Sequence, residues 1–231
     1  MAKKPAATKK KSLNQKVLRQ ERKAKRRRQS MIRFGVIVIG LVLVAGYFLW
    51  PRPQVLAVSQ DRLLDDPTIG SPEAIVTIVE YGDFGCPSCR AWHNAGIIDR
   101  VIATYGDQVR FVWRDFPIIT AFSPEAAQAA QCAYDQDKFW EYHDLLFEGA
   151  ASFRDELLKS YAVELGLDST AFNQCLDTRQ HQATVDKDLE EAFQRRFRGT
   201  PSFLVNDQPL AGPPSFDYLQ SLIEPILLNN N

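Results

Sequence analysis

The sequence predicts an α/β fold in which a long helical block is inserted into a small sheet domain. Two strand-like runs, residues 74–81 and 109–114, flank a stretch of helical apolar spacing. A helix-rich block of about residues 122–197 follows, and two short strands with a closing helix then end the pattern. The 231 residues suffice for one packed domain with appendages, and one N-terminal transmembrane helix is expected before it.

Each element has a local signal. Ser123 is a candidate N-cap before a proline, Gly149 and Gly166 end two insertion helices, and Asn206-Asp207 is a hairpin turn. The predicted strands and helices are strand 74–81, helix 87–105, strand 109–114, insertion helices at 123–134, 139–147, 157–165, 168–176 and 185–197, strands 202–205 and 208–211, and helix 216–228.

The formal net charge of zero hides two oppositely charged parts. Residues 1–33 carry 14 Lys and Arg against one acidic residue, whereas the rest carries 14 basic and 27 acidic residues. Residues 3–11 have the composition of a nuclear-import or nucleic-acid patch, but residues 1–30 contain no aromatic side chain for base stacking. We therefore expect no nucleic-acid partner, and a basic cytoplasmic tail, residues 1–30, that contacts anionic lipid.

An apolar run, residues 31–50, separates the two parts. As a helix, residues 32–50 would span roughly 28 Å, close to the thickness of the hydrocarbon core. Basic residues precede the run, which predicts a single-pass anchor in the cell membrane with a cytoplasmic N-terminus. A signal peptide cleaved near residue 57 is the alternative, and it also exports the domain. A buried helix of a soluble protein is the third interpretation.

The chemistry is concentrated in Cys86-Pro87-Ser88-Cys89, which directly follows an apolar strand and opens a helix. We expect the sulfur of Cys86 to face solvent, where the helix N-terminus lowers its pKa and makes it the nucleophile. Cys89, one turn further on, is expected to be more buried and to resolve mixed disulfides. Pro87 presets the helical φ angle and lacks an N–H, and Ser88 offers a hydroxyl and an N–H to Cys86.

Two other interpretations of the cysteine pair are structural. A zinc site needs two further ligands, and the sequence has no second CxxC and no paired histidines, so no metal is expected. An inert structural disulfide is the other possibility.

Several motifs together resemble the DsbA-like thiol–disulfide oxidoreductases of the thioredoxin superfamily, in particular the membrane-anchored BdbD branch. The resemblance covers about residues 65–228, and we place a linker at 51–72 and the domain at 73–228. Its motifs are Phe84-Gly85-Cys86-Pro87-Ser88-Cys89-Arg90-Ala91-Trp92, Gln131-Cys132-Ala133-Tyr134, Lys138-Phe139-Trp140-Glu141-Tyr142-His143 and Gly199-Thr200-Pro201.

The resemblance implies a thioredoxin fold and two further site features. Thr200-Pro201 should be a cis peptide facing the CxxC motif, which leaves backbone groups of Thr200 for an extended substrate. An ordinary proline at the start of a strand is the alternative. Glu80 occupies the place of the acidic residue beneath the second cysteine and is expected to exchange a proton with Cys89. The alternative is an edge-strand carboxylate in water.

Cys132 and Cys175 lie in separate predicted helices of the insertion. In an exported domain two further cysteines favour a structural disulfide. Two buried free cysteines that pack as small apolar residues are the alternative.

The predicted function is dithiol oxidation: the Cys86–Cys89 disulfide is donated to reduced exported proteins. The resemblance implies a membrane quinone-linked partner of the DsbB or VKOR type that reoxidises the pair, and no cofactor is expected. A reductase or isomerase on the same fold, and a non-catalytic binding protein, stay open as alternatives.

Overall fold

The computed structural model describes residues 66–149 and 152–229. The predicted basic tail, the transmembrane segment and most of the predicted linker lie outside these residues. Within the described ranges, no helix is both long enough and apolar enough to cross a bilayer.

The strands and helices follow the predicted order, apart from one added strand and one divided helix. The strands are β1 (Thr68–Ile69), β2 (Val76–Gly82), β3 (Val109–Asp115), β4 (Ser202–Val205) and β5 (Gln208–Pro209). The α-helices are α1 (Pro87–Asn94), α2 (Ile97–Tyr105), α3 (Ser123–Tyr134), α4 (Phe139–Glu148), α5 (Asp155–Glu164), α6 (Ser169–Asp177), α7 (Gln182–Gln194) and α8 (Phe216–Asn229).

The described strands form one sheet in the order β1-β3-β2-β4-β5, with β2 at the centre. β2 runs parallel to β3 and antiparallel to β4, and β1 adds to the edge of β3. Glu80 lies opposite Trp113 on one side and Phe203 on the other. The interpretation of Glu80 as an edge-strand carboxylate is therefore wrong, because its strand is paired on both sides.

Alternation along β2 divides its side chains between the two faces of the sheet. Val76 and Ile78 pack against α1, α2 and α8, whereas Val79 and Tyr81 pack against α7. Both faces are covered, which explains the continuous apolar run. By the same alternation Glu80 points to the face that carries α1.

The predicted helix 87–105 is divided into α1 and α2. Gly96 has φ +61°, a left-handed conformation that costs glycine little and ends α1. The apolar spacing continues across this break, so periodicity alone gave one helix. The short strand β1 lies in the predicted linker and was also missed.

The inserted helices α3 to α7 confirm the predicted insertion. Asp168 caps α6 by accepting hydrogen bonds from the amides of Thr170 and Ala171. Ser123, expected to be an N-cap, is instead the first residue of α3, and its Oγ accepts from the amide of Thr120. The apolar core of the insertion extends to Cys86 and Cys89, so these helices also form one wall of the cysteine site.

Candidate active site

A short loop, residues 83–86, carries the chain from the centre of the sheet into α1. Cys86 is the N-cap of α1, and its amide donates to the carbonyl of Asp83 at 2.9 Å. Gly85 is required by close packing, since a Cβ there would lie 2.8 Å from the Ser123 hydroxyl and 2.9 Å from a Thr120 methyl. Pro87 opens the helix, and both Pro87 and Ser88 are exposed.

The loop is fixed by one buried carboxylate that sequence reasoning missed. Asp83 accepts hydrogen bonds from the amides of Gly85, Ile118 and Ile119, each at 2.7 Å. It thereby ties the cysteine loop to the loop after β3. Ile118 and Ile119 place apolar side chains at the surface there, as does Phe122.

Arg90, which is half-buried on α1, also has a positioning role that the sequence did not indicate. Its guanidinium donates to the carbonyl oxygens of Phe147 and Gly149 at the C-terminal end of α4. These contacts hold the active-site helix against the insertion. A cation at a helix C-terminus also complements the helix dipole.

Cys86 and Cys89 are both free thiols. The pKa of Cys86 is lowered to about 5, mainly by a hydrogen bond from the Cys89 thiol, against the opposing effect of burial. Smaller contributions come from Thr200 and then from the backbone N–H groups of Cys89 and Ser88. The amides of the helix N-terminus therefore help, as the sequence indicated, but the neighbouring thiol contributes most.

The expectation that the Cys86 sulfur faces solvent is wrong. Cys86 is only 4% exposed, although Cys89 is more buried still, at 0%. The Cys86 sulfur lies 3.2 Å from the carbonyl oxygen of Thr200, 114 residues further along the chain, so the Thr200 segment covers it.

The pKa of Cys89 is displaced in the opposite direction, far above its usual value. Burial is the main cause, followed by the hydrogen bond with Cys86 and the charge of Glu80. The pair is therefore strongly asymmetric at neutral pH: Cys86 holds a thiolate and Cys89 holds a proton.

Glu80 lies behind this pair and is 3% exposed. Burial, and secondarily the negative charge of Cys86, raise its pKa well above the usual value, which favours the neutral carboxyl. Glu80 also lines a cavity of about 90 Å³ together with Trp92, His93 and His143. A buried carboxyl coupled to a cysteine pair, with a cavity beside it, is suited to proton exchange.

The Thr200–Pro201 peptide bond is cis, which confirms the geometry that the resemblance implies. The Thr200 hydroxyl is buried and makes no hydrogen bond. Thr200 nevertheless contributes to the lowered pKa of Cys86. When Cys86 is protonated, its thiol donates to the Thr200 carbonyl. Ser202, directly after this bond, begins β4 opposite Tyr81.

The predicted bridge between Cys132 and Cys175 is present and joins α3 to α6. In the described ranges, two groups contain three or more potential metal ligands: His93, His143 and Asp144 form one, and Cys132, Cys175 and His181 form the other. Cys86 and Cys89 belong to neither.

The sheet, the helical insertion and the cysteine pair at a helix N-terminus are the features of a DsbA-like thioredoxin fold. The chain belongs to the DsbA-like proteins of the thioredoxin family, whose profile, described as "Thioredoxin", matches residues 63–225. A thioredoxin-like oxidoreductase from Silicibacter pomeroyi DSS-3 is 30% identical and superposes with a TM-score of 0.64 over 74% of this chain and 99% of its own. Oxidised BdbD from Bacillus subtilis is 26% identical, with a TM-score of 0.65 over 72% and 95% of the two chains.

The curated relatives are longer proteins. The Na(+)/H(+) antiporter NhaA 1 of Salinispora arenicola is 35% identical over 171 residues, which are 73% of this chain. This chain spans only 25% of that relative's length. The likeness therefore concerns one part of the antiporter.

Proposed function

We propose that this chain is an extracytoplasmic dithiol oxidase, which donates the Cys86–Cys89 disulfide to reduced exported proteins. The observation that carries the proposal is the lowered pKa of Cys86 beside the raised pKa of Cys89. A stable thiolate stabilises the reduced protein, so the corresponding disulfide is a strong oxidant.

The reaction begins when a substrate thiolate attacks the Cys86 sulfur of the oxidised pair. The Cys86–Cys89 bond breaks, Cys89 leaves as a thiolate, and a mixed disulfide joins Cys86 to the substrate. Cys89 takes up a proton, for which Glu80 is the nearby buried donor. The high pKa of Cys89 then keeps it protonated and slows its return attack on the mixed disulfide.

A second substrate thiolate then attacks the substrate sulfur of the mixed disulfide, and Cys86 leaves as a stable thiolate. The substrate has lost two electrons and two protons. The electrons reduce the cysteine pair, one proton stays on Cys89, and the other goes to solvent. Pro87 and Ser88 tune this exchange from the first turn of α1, where the Ser88 amide faces the Cys86 sulfur.

Substrate binding is assigned to the surface beside Cys86. An extended chain would pair with backbone groups of the Thr200–Pro201 segment, as peptides pair with exposed strand edges. Ile118, Ile119 and Phe122 offer apolar contacts at the adjoining loop. Such contacts favour incompletely folded proteins, which expose apolar side chains along with their free cysteines.

The cellular setting is part of the proposal. The apolar run 31–50 would anchor the domain outside the cytoplasm, with residues 1–30 on anionic lipid. The Cys132–Cys175 bridge supports an oxidising compartment. Continuous turnover then needs an electron acceptor for Cys86 and Cys89, for which we propose a membrane quinone-linked protein of the DsbB or VKOR type.

The redox equilibrium with glutathione tests the proposed direction of electron transfer. We expect a potential on the oxidising side, closer to about −120 mV than to the about −270 mV typical of thioredoxin. A value near that of thioredoxin would support the reductase alternative instead. The Cys86→Ala variant should lose all dithiol oxidation, and full function in that variant would indicate a non-catalytic binding protein.

A further inference from the structure

If the proposed function holds, Glu80 must exchange protons with solvent although it is buried. Each cycle in which Glu80 gives its proton to Cys89 leaves a carboxylate that must be protonated again from solvent. Glu80 is 3% exposed and lies on the central strand, so it has little direct contact with water. The front of the site is closed as well, since Cys86 is 4% exposed beneath the Thr200 segment.

The cavity beside Glu80 offers another route. Its volume of about 90 Å³ is enough to hold water. Every ionisable side chain in its lining is a carboxyl or an imidazole, and no lysine or arginine contributes. The lining residues are Ile69, Glu80, Trp92, His93, Ile98, Asp99, Phe111, Trp140, His143 and Asp144.

Exposure increases along one side of this cavity. The side chain of His143 is 6% exposed, that of His93 is 22% exposed, and that of Asp144 is 51% exposed. Nδ1 of His143 lies 3.0 Å from Oδ1 of Asp144, and Nε2 of His93 lies 3.6 Å from the same oxygen. A chain of proton-exchanging groups thus connects the buried cavity with the surface.

His143 is the central member of this chain, and its surroundings fix its position. The rings of Trp113, Trp140 and Phe147 enclose it at centroid distances of 4.9, 5.1 and 4.8 Å. Burial lowers the pKa of His143 to about 4, so at neutral pH its ring is uncharged. A neutral imidazole accepts a proton on one nitrogen and releases one from the other, which is the property that a relay requires.

The charged groups around His143 come from each element that packs against it at the cavity. β2 contributes Glu80, α1 contributes His93, α2 contributes Asp99, and α4 contributes the adjoining Asp144. The aspartates favour a proton on His143, while His93 opposes it when charged. Protons are therefore attracted to this side of the cavity without becoming trapped on His143.

We propose that His93, His143 and Asp144 form a proton port through which Glu80 exchanges its proton with solvent. In the reductive half of the cycle a proton enters from water at Asp144 or His93, passes through His143 and cavity water, and restores the Glu80 carboxyl. When the protein is reoxidised, the Cys89 proton leaves by the reverse route. No atom is consumed in the port, and its groups end each cycle as they began.

The test compares the rate at which dithiothreitol reduces the oxidised protein at neutral pH in two variants, Asp144→Asn and His93→Gln. Both positions are at least partly exposed, so both variants should fold. Because Asp144 and His93 can each admit a proton, we expect slower reduction in each single variant. In the double variant Asp144→Asn/His93→Gln we expect reduction at least about tenfold slower than in the wild type, with a larger solvent deuterium effect. Added imidazole buffer should restore the rate, because a small proton carrier can enter where the port has been interrupted.

The matched control is Asp135→Asn, which removes the similar pair of Asp135 and His181 (2.8 Å) away from the cavity. This variant should reduce at the wild-type rate. Wild-type rates in both port variants, or slow rates that imidazole does not restore, would overturn the port. The glutathione equilibrium does not depend on the route of the proton. A potential near that of thioredoxin would therefore refute the oxidase, while slow port variants that imidazole restores would still support the proton port.

Discussion

The Cys86 sulfur lies 3.2 Å from the carbonyl oxygen of Thr200, although 114 residues separate them in the chain. Thr200 precedes the cis-proline Pro201, its buried hydroxyl makes no hydrogen bond, and Thr200 contributes to the lowered pKa of Cys86. The same residue thus covers the nucleophile and stabilises its thiolate. Thr200 therefore influences both the solvent access of the Cys86 sulfur and the pKa of Cys86.

Replacement of Thr200 by valine removes the hydroxyl while keeping the shape of the side chain. We expect the pKa of Cys86 to rise by up to about one unit, which makes the disulfide less oxidising by up to about 30 mV. Glutathione equilibria of the two proteins measure this difference. Thr104→Val is the control, because the Thr104 hydroxyl donates only to the Arg100 carbonyl on an exposed helical turn. An unchanged equilibrium in Thr200→Val would contradict a role for the hydroxyl.

The Glu80→Gln variant should change how stability depends on pH. The pKa of Glu80 is raised on folding, so the folded protein binds more protons than the unfolded chain above pH 4.5, the ordinary value. The free energy of unfolding of the wild type should therefore fall, relative to Glu80→Gln, by about 1.4 kcal/mol per pH unit as the pH rises from 4.5 to the folded pKa.

Urea unfolding of the oxidised proteins from pH 4 to pH 9 measures this difference without titration of the Cys86 and Cys89 thiols. Glu190→Gln, at an exposed position on α7, is the control and should follow the wild type. A Glu80→Gln curve parallel to the wild type would mean that Glu80 is already ionised in the folded protein.

Asp83→Asn should weaken the connection between the cysteine loop and the loop at Ile118 and Ile119. Asparagine has one acceptor oxygen, and its NH₂ group would face backbone amides that need an acceptor. We therefore expect the free energy of unfolding to fall by about 1–3 kcal/mol. Oxidation of a cysteine-containing peptide should slow as well, because the apolar loop shifts. At Asp168, a helix N-cap, asparagine caps as well as aspartate, so Asp168→Asn should be nearly neutral. Equal losses in the two variants would refute the special role of Asp83.

Removal of the Cys132–Cys175 bridge by alanine substitution should cost stability but not redox activity. The bridged residues are 43 positions apart, which gives an entropic stabilisation of up to about 4 kcal/mol. Urea midpoints of the oxidised proteins measure the loss. In a Cys86→Ala/Cys89→Ala background, reduction of the bridge should lower the midpoint by a similar amount. Loss of peptide oxidation on removal of the bridge would show that it takes part in the reaction.

The sequence predicted those features that depend on neighbouring residues. The strand before Cys86, the helix after it, the N-cap Asp168 and the insertion all have local signals, and each is present. The break at Gly96 was missed because apolar spacing continues on both sides of it. The strand β1 was missed because two residues are too few to show an alternating pattern.

The missed features of the site depend on contacts between distant parts of the chain. Two of the three amides bound by Asp83 lie 35 and 36 residues away, and no spacing rule connects them with it. The exposure of Cys86 was overestimated because the segment that covers it, at Thr200, comes from the far end of the insertion. No sequence spacing connects His143 with His93, and only the fold brings their ring centroids within 5.0 Å of each other.

The measurement that tests the central claim most directly is the ultraviolet titration of the reduced protein near 240 nm, where a thiolate absorbs and a thiol does not. Cys86 should titrate with a midpoint of about 5, and the Cys86→Ala variant should lack this transition. A midpoint near the ordinary cysteine value of about 8.5 would contradict the account. The reduced protein would then lack the stabilised Cys86 thiolate that makes its disulfide a strong oxidant.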